Sequence, residues 1–338
     1  MRTCLQCGTQ IAESLLACPG CRALVHAAKL QQLADAATRS TQSGDVSSAL
    51  ASWRQALELL PTDSRQHAVI SAKVVELSHA VDGGTQAQSK KGDGSKLGKG
   101  AAGLGALGAL LAKFKFLLFF ILTKAKLLLL GLTKASTFLS LLLSAGVYMS
   151  LWGWKFALGL VLSIYIHEMG HVQALNRFGI KATAPMFIPG FGALIRLKQY
   201  PTDPREDARV GLAGPIWGLG AALAAGIVFV LTRAPYWAGI ARLGGFINLF
   251  NLTPVWQLDG ARGFHALARW QRWTAVGVIA ATWAATGEGL LVLLLIFAVI
   301  AASHGSAAQE PDHTALVQYA GLVAVLAALT RIPVVTGP

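Results

Sequence analysis

Hydrophobic and polar positions are spread unevenly along the 338 residues. Residues 1–23 are polar and cysteine-rich, and from about residue 30 to 81 the pattern is that of helices. Residues 83–104 are rich in Gly, Lys, Ser and Gln, as in a flexible basic linker. From Leu104 onwards apolar runs dominate, at 107–122, 127–149, 151–171, 209–232, 236–252, 272–302 and 314–330. An uninterrupted apolar run of about 20 residues is long enough to cross a bilayer as a helix. Lys113, Lys115, Lys124 and Lys126 interrupt the first run and its neighbour, so the first could lie in the interface with its lysines snorkelling. The 272–302 run is too long for one simple span and is expected to hold two short helices around Gly287. The pattern predicts an all-α polytopic membrane helix bundle of about six spans.

The polar first quarter has its own organisation. Residues 30–61 read as two helices broken near Ser43 and Gly44, and a third helix is expected from Ser64 to Val81. Leu33, Ala37, Gly44, Ala49, Trp53, Ala56, Leu57 and Pro61 resemble a tetratricopeptide-like helical hairpin. In such a hairpin Ala49 and Ala56 let two helices approach, and Trp53 fills their groove. The predicted organisation is 1–23, a zinc ribbon; 24–82, the hairpin region; 83–104, the linker; and 105–338, the membrane domain.

Composition supports this division. Hydrophobic residues make up 54% and charged residues only 13%, against about 25% charged in ordinary soluble domains. The net charge is +13, and nine lysines lie between Lys90 and Lys134, beside or within apolar runs. That placement favours an anionic membrane surface over nucleic acid, which is not expected as a partner. No secretory signal pattern opens the chain. The expectation is an integral multi-pass protein of the cell (inner) membrane with a cytosolic N-terminal region.

All four cysteines lie in the first 21 residues, as C-x2-C, ten residues, C-x2-C. Cys4, Cys7, Cys18 and Cys21 can supply four thiolates to a closed tetrahedral zinc site. A segment this small lacks a core of its own, so the metal would supply its folding energy. The pattern resembles a short zinc ribbon with one structural zinc.

The apolar run 156–166 leads directly into His167-Glu168-Met169-Gly170-His171. On a helix, residues four apart share a face, so both imidazoles can reach one ion. Glu168 then sits beside the ion, able to accept a proton from the attacking water and pass it to a leaving amine. Ionisable residues ending an apolar helix are costly unless paired or liganded.

Zinc hydrolases usually need a third protein ligand, and acidic residues are scarce downstream. Asp203, Glu206 and Asp207 fall in a polar loop, and Glu288, Glu310 and Asp312 near helix ends. Asp259 follows the segment 248–254, broken at Pro254, and precedes Gly260, which permits a tight turn. An ordinary helix cap is the other use for Asp259.

Three segments together resemble the site-2 protease family of intramembrane metalloproteases: H-E-M-G-H, N-L-T-P-V-W-Q-L-D-G at 251–260, and A-G-P at 213–215. The likeness covers roughly residues 130–330. It implies that Asp259 joins His167 and His171 on a catalytic zinc, that Glu168 is the acid–base group, and that Asn251 contacts substrate or oxyanion. Trp256 and Gln257 depart from the family, which is often proline-rich there. The resemblance also implies a short membrane-associated strand pair across 185–195, and a transmembrane protein segment as substrate. Strand addition at such an edge could hold an unwound substrate. Ala213-Gly214-Pro215 is expected to begin a helix and is read as structural.

Partners are therefore a transmembrane protein, the lipid bilayer, and a possible protein bound by the N-terminal ribbon and helices. With one span before the HEMGH helix, the metal lies toward the cytosolic side. A cytosolic-domain metalloprotease needs a larger polar region after His171 than 172–208, and a pure adaptor has no use for Glu168.

Overall fold

The computed structural model describes residues 1–91, 135–181, 185–188, 192–194, 201, 203–304 and 306–334. The expected run 107–122, and most of the basic linker, lie outside the described residues. Among the described residues the chain is mostly helical. It divides into two compact units. The first holds residues 1–91 with 175–181 and 203–206; the second holds 135–174, the strand residues 186–188 and 192–194, and 207–334.

The first unit opens with strands β1 (Arg2–Thr3) and β2 (Gln10–Ile11), paired antiparallel. Helices α1 (Ala27–Gln42) and α2 (Val46–Leu57) form the expected hairpin, and α3 (Arg65–Lys91) packs on α2. Gly44, at φ 78°, turns the chain between the first two helices, a backbone region open to glycine at little cost. Asp45 caps α2 by accepting from the Ser48 amide at 3.0 Å. Leu33, Ala37, Leu50, Trp53, Ala56 and Val74 close one small core. The third helix runs on from Val81 to Lys91, further than its apolar spacing suggests.

The same unit takes in the turn at 175–181 and the residues 203–206. Arg54, on α2, donates from Nε to the Phe178 carbonyl at 3.0 Å and pairs with Glu206 at 2.5 Å. Ser78 donates to the other Glu206 oxygen at 2.8 Å, and His79 pairs with Asp203. Gly179, at φ 65°, lies so close to α2 that a Cβ would sit 2.5 Å from the Ala51 nitrogen.

The second unit contains α4 (Ala135–Trp152), α5 (Trp154–Arg177, which leaves the unit at Leu175), the antiparallel pair β3 (Met186–Ile188) and β4 (Gly192–Leu194), and α6 (Pro204–Thr232, which enters it at Asp207). Then follow α7 (Pro235–Asn251), α8 (Asp259–His265), α9 (Arg269–Thr286), α10 (Leu290–Ser303) and α11 (His313–Leu329). The 272–302 run does split at Gly287, which caps α9 at φ 65°. The core gathers α6 to α11, with Leu212, Leu249, Phe264, Ile279, Leu294 and Leu322 among its buried members.

Two large polar side chains inside this unit bond to backbone carbonyls. Tyr319 donates to the Leu252 carbonyl at 2.7 Å, and Arg272 reaches the carbonyls of Leu267, Ala301 and Ser306. Outward, large apolar side chains are exposed on several helices: Leu142, Leu158, Leu162, Ile227, Phe250 and Ile296. By length and composition, α6 is long and apolar enough to cross a membrane, and Thr137–Trp152, Leu290–Ser303 and His313–Leu329 are shorter apolar helices.

Two local expectations are corrected. Ala213–Pro215 do not begin a helix: α6 starts at Pro204, so Pro215 is internal. Glu206 and Asp207, expected in a polar loop, lie in its first turns, where their charges are paired: Glu206 with Arg54 at 2.5 Å and Asp207 with Arg262 at 2.7 Å. Gly260 does not serve as a tight turn. It is helical, and its role is closeness, since a Cβ there would overlap the Leu252 carbonyl. Trp256, 88% exposed, takes the left-handed conformation instead, at φ 52°.

Candidate metal centre

His167 and His171 lie one helical turn apart on α5, on the same face. Gly170, between them, lets α6 come close: a Cβ there would sit 2.5 Å from the Ala213 carbonyl oxygen. Asp259 is the first residue of α8, held after the irregular segment 252–258. It turns its carboxylate to the two rings, Oδ2 at 3.2 Å from His167 Nε2 and Oδ1 at 3.2 Å from His171 Nε2. The two Nε2 atoms are themselves 3.2 Å apart. The one-turn spacing and a start-of-helix carboxylate thus bring three ligand atoms within 4.8 Å of one another.

The far side of each ring is engaged. His171 Nδ1 faces the Val210 carbonyl at 2.8 Å, and His167 Nδ1 faces Asn248 Oδ1 at 2.7 Å. With the Nδ1 atoms protonated, the neutral rings turn two lone pairs toward a carboxylate. Three acceptors converging at 3.2 Å repel one another unless a cation sits among them. Two imidazole nitrogens and one carboxylate, leaving a fourth position open, are the donor set of a catalytic zinc site. The residues present therefore fit the metal.

Glu168 is buried at 7% exposure, next to His167 on α5. Asn251 ends α7 with its amide nitrogen 3.5 Å from His167 Nε2. The structure thus gathers all five residues singled out in the sequence, from three helices. It adds two that the sequence reading left out. Asn248 lies inside the apolar run 236–252, and an amide within such a run is the signal that marks it. Gly214 was read as purely structural, yet a Cβ there would overlap the Nε2 atoms of both histidines. Its bare backbone opens the space in front of the rings, a use no local pattern distinguishes from ordinary helix packing.

A second ligand group lies in the first unit. Cys4, Cys7, Cys18 and Cys21 are free thiols whose sulfurs also fall within 4.8 Å of one another, so they could hold a metal ion. Cys4 Sγ is 3.6 Å from Cys21 Sγ, and Cys7 Sγ 3.5 Å from Cys18 Sγ. Hydrogen bonds from the Thr9 hydroxyl and backbone lower the Cys7 thiol to about 6, toward the thiolate a metal requires.

Comparison with known proteins bears on the histidine site. The chain is 28% identical over 179 residues to a probable chloroplastic zinc metalloprotease of Arabidopsis thaliana, covering 40% of this chain and 32% of that protein. It is 24% identical over 152 residues to a zinc metalloprotease of Methanocaldococcus jannaschii, covering 42% of each. It is 25% identical over 183 residues to a zinc metalloprotease of Mycobacterium tuberculosis, covering 54% of this chain and 36% of that protein. The chain thus spans about a third to two fifths of the length of these relatives. No solved structure matches it. The tetratricopeptide likeness of α1 and α2 finds no support in the comparisons, and what stands is a helical hairpin. Residues 155–235, which carry His167, Glu168, His171 and Gly214, match the model of peptidase family M50.

Proposed function

We propose that this protein is an intramembrane zinc metalloprotease of the site-2 protease type, hydrolysing peptide bonds in or near transmembrane segments of other proteins. The observation that carries it is the convergence of His167 Nε2, His171 Nε2 and Asp259 on one point beside buried Glu168. The M50 match over residues 155–235, which carry both histidines and Glu168, supports it.

In this reading His167, His171 and Asp259 hold one zinc ion, which when bound supplies Lewis acidity toward water and the scissile carbonyl. Glu168 takes the proton from the attacking water and returns it to the leaving amine. Its burial beside the ligands keeps that exchange away from bulk solvent. The Asn251 amide, 3.5 Å from His167 Nε2, donates to the carbonyl oxygen as charge develops there. A donor so placed contributes roughly 3 kcal/mol to an acyl-transfer barrier. Antiparallel β3 and β4 offer an extended edge to an unwound substrate strand.

The second unit is read as a polytopic bundle of about six spans. Its outward Leu, Ile and Phe side chains face lipid, while its charged groups are paired inside. The protein is placed in the cell membrane with residues 1–91 in the cytosol, where the four cysteines hold a structural zinc and the helices engage a protein partner. This reading is tested with the full chain in detergent and a transmembrane reporter. Glu168→Gln should retain zinc and lose cleavage by about 10²–10⁴-fold. Cleavage at the wild-type rate would exclude Glu168 from the chemistry, and zinc unchanged in His167→Ala would exclude the metal site.

A further inference from the structure

Asn248 lies on α7, 2% exposed, behind the metal-facing edge of His167. Its amide has two ends and two partners. Nδ2 lies 2.7 Å from the Gly244 carbonyl oxygen, and Oδ1 lies 2.7 Å from His167 Nδ1. A backbone carbonyl only accepts, so the end facing Gly244 must be the NH2. The end facing His167 is then the oxygen, which also only accepts. His167 Nδ1 must carry the hydrogen, and the neutral ring is left with its lone pair on Nε2, toward Asp259 and His171.

The pocket for this amide is built by α6. Gly218, one turn after Gly214, faces Asn248, and a Cβ at 218 would overlap the amide. Gly214 clears the front of the imidazoles and Gly218 clears the room behind, so a single glycine pair on α6 serves both edges of the site. His171 needs no side chain for the same purpose, because the Val210 carbonyl faces its Nδ1.

We infer that Asn248 is a positioning residue of the metal site, fixing His167 in the Nδ1–H tautomer and aiming Nε2 at the ion through the sequence Gly244 carbonyl, Asn248 amide, imidazole. The inference rests on the metal reading above. Partners of this kind orient a ligand ring and raise its basicity, and losing one typically costs about 10–100-fold in metal affinity. Asn251 cannot substitute, since its amide lies at the Nε2 edge.

The test is zinc affinity of the full chain in detergent, by competition with a chromophoric chelator, with His167→Ala as the baseline for metal held elsewhere. Asn248→Leu keeps the volume and removes the acceptor; it should weaken the His167-dependent site by about 10–100-fold and leave helix content and melting of the chelator-treated protein near wild type. Asn248→Asp keeps an acceptor toward Nδ1 and should restore binding to within about tenfold of wild type. Gly218→Ala, which displaces the amide, should reproduce the Leu variant. Zinc bound as tightly by Asn248→Leu as by wild type overturns the role of Asn248 alone. A loss equal in the Leu and Asp variants also overturns it, since packing and not the acceptor would then matter. Wild type and His167→Ala holding equal zinc would instead sink the metal reading, and this inference with it.

Discussion

Two buried polar clusters, one in each unit, differ in how their valences are filled. Around Glu206 every carboxylate oxygen has a donor: Arg54 at 2.5 Å on one, the Ser78 hydroxyl at 2.8 Å on the other. Arg54 spends a further N–H on the Phe178 carbonyl. Around Asp259 the nearest groups are two imidazole nitrogens whose hydrogens point the other way, into Asn248 and Val210. The first cluster is complete and holds chain segments together. The second is complementary to a cation. Burial and charge alone do not separate an active centre from a structural ion pair; the direction in which the donors point does.

The largest effect expected from breaking this contrast is at the open cluster. Asp259→Ala removes one of three ligands and should lower zinc affinity by more than about 100-fold, beyond the range of losses at supporting partners. Chelator competition on the full chain measures it, and an unchanged affinity would remove Asp259 from the ligand set. At the closed cluster, Arg54→Met leaves Glu206 buried without its cation and should destabilise the chain by about 3–5 kcal/mol, read from denaturant unfolding of the first unit's tryptophan, Trp53. Adding Glu206→Gln should recover much of that loss, because removing both charges of a buried pair is far less costly than removing one. A double variant no more stable than the single would mean the pair is not the closed unit described.

Smaller changes sharpen the distinction. Gly214→Ala adds one methyl group in front of the imidazoles and should weaken zinc binding roughly tenfold, with melting of the metal-free protein nearly unchanged. Its counterpart, Ser78→Ala, removes one donor from Glu206 and should cost about 1.5 kcal/mol of stability while zinc binding at His167 stays as in wild type. A zinc affinity that follows Ser78, or a stability loss confined to Gly214, would erase the difference between the clusters.

Much of this was legible in the residues. The H-E-x-x-H spacing places two imidazoles on one helix face by helical geometry alone. The N-terminal hairpin shows in the spacing of Leu33, Ala37, Ala49, Trp53 and Ala56, all of them buried. Gly287 marked the break in the long apolar run, and it is the left-handed cap of α9. What failed was local. Glu206 and Asp207 look like loop in the sequence because their partners, Arg54 and Arg262, lie over fifty residues away. Gly260 looked like a turn because nothing nearby reveals that Leu252 will press against it.

The sequence by itself determined the elements and the chemistry available: apolar helices, a two-histidine turn with its glutamate, four cysteines in two C-x2-C turns and a scarce downstream aspartate. Their identities are set by spacing along the chain, where local geometry is enough. Only the tertiary structure decided how those groups face one another. It brought Asp259 to 3.2 Å from both histidines, put the Asn248 amide behind one ring and the Val210 carbonyl behind the other, and gave Arg54 to Glu206. Around the histidines those choices depend on close helix approach at Gly170, Gly214 and Gly218. A missing side chain acts there through the neighbour it admits, and that neighbour lies far away along the chain.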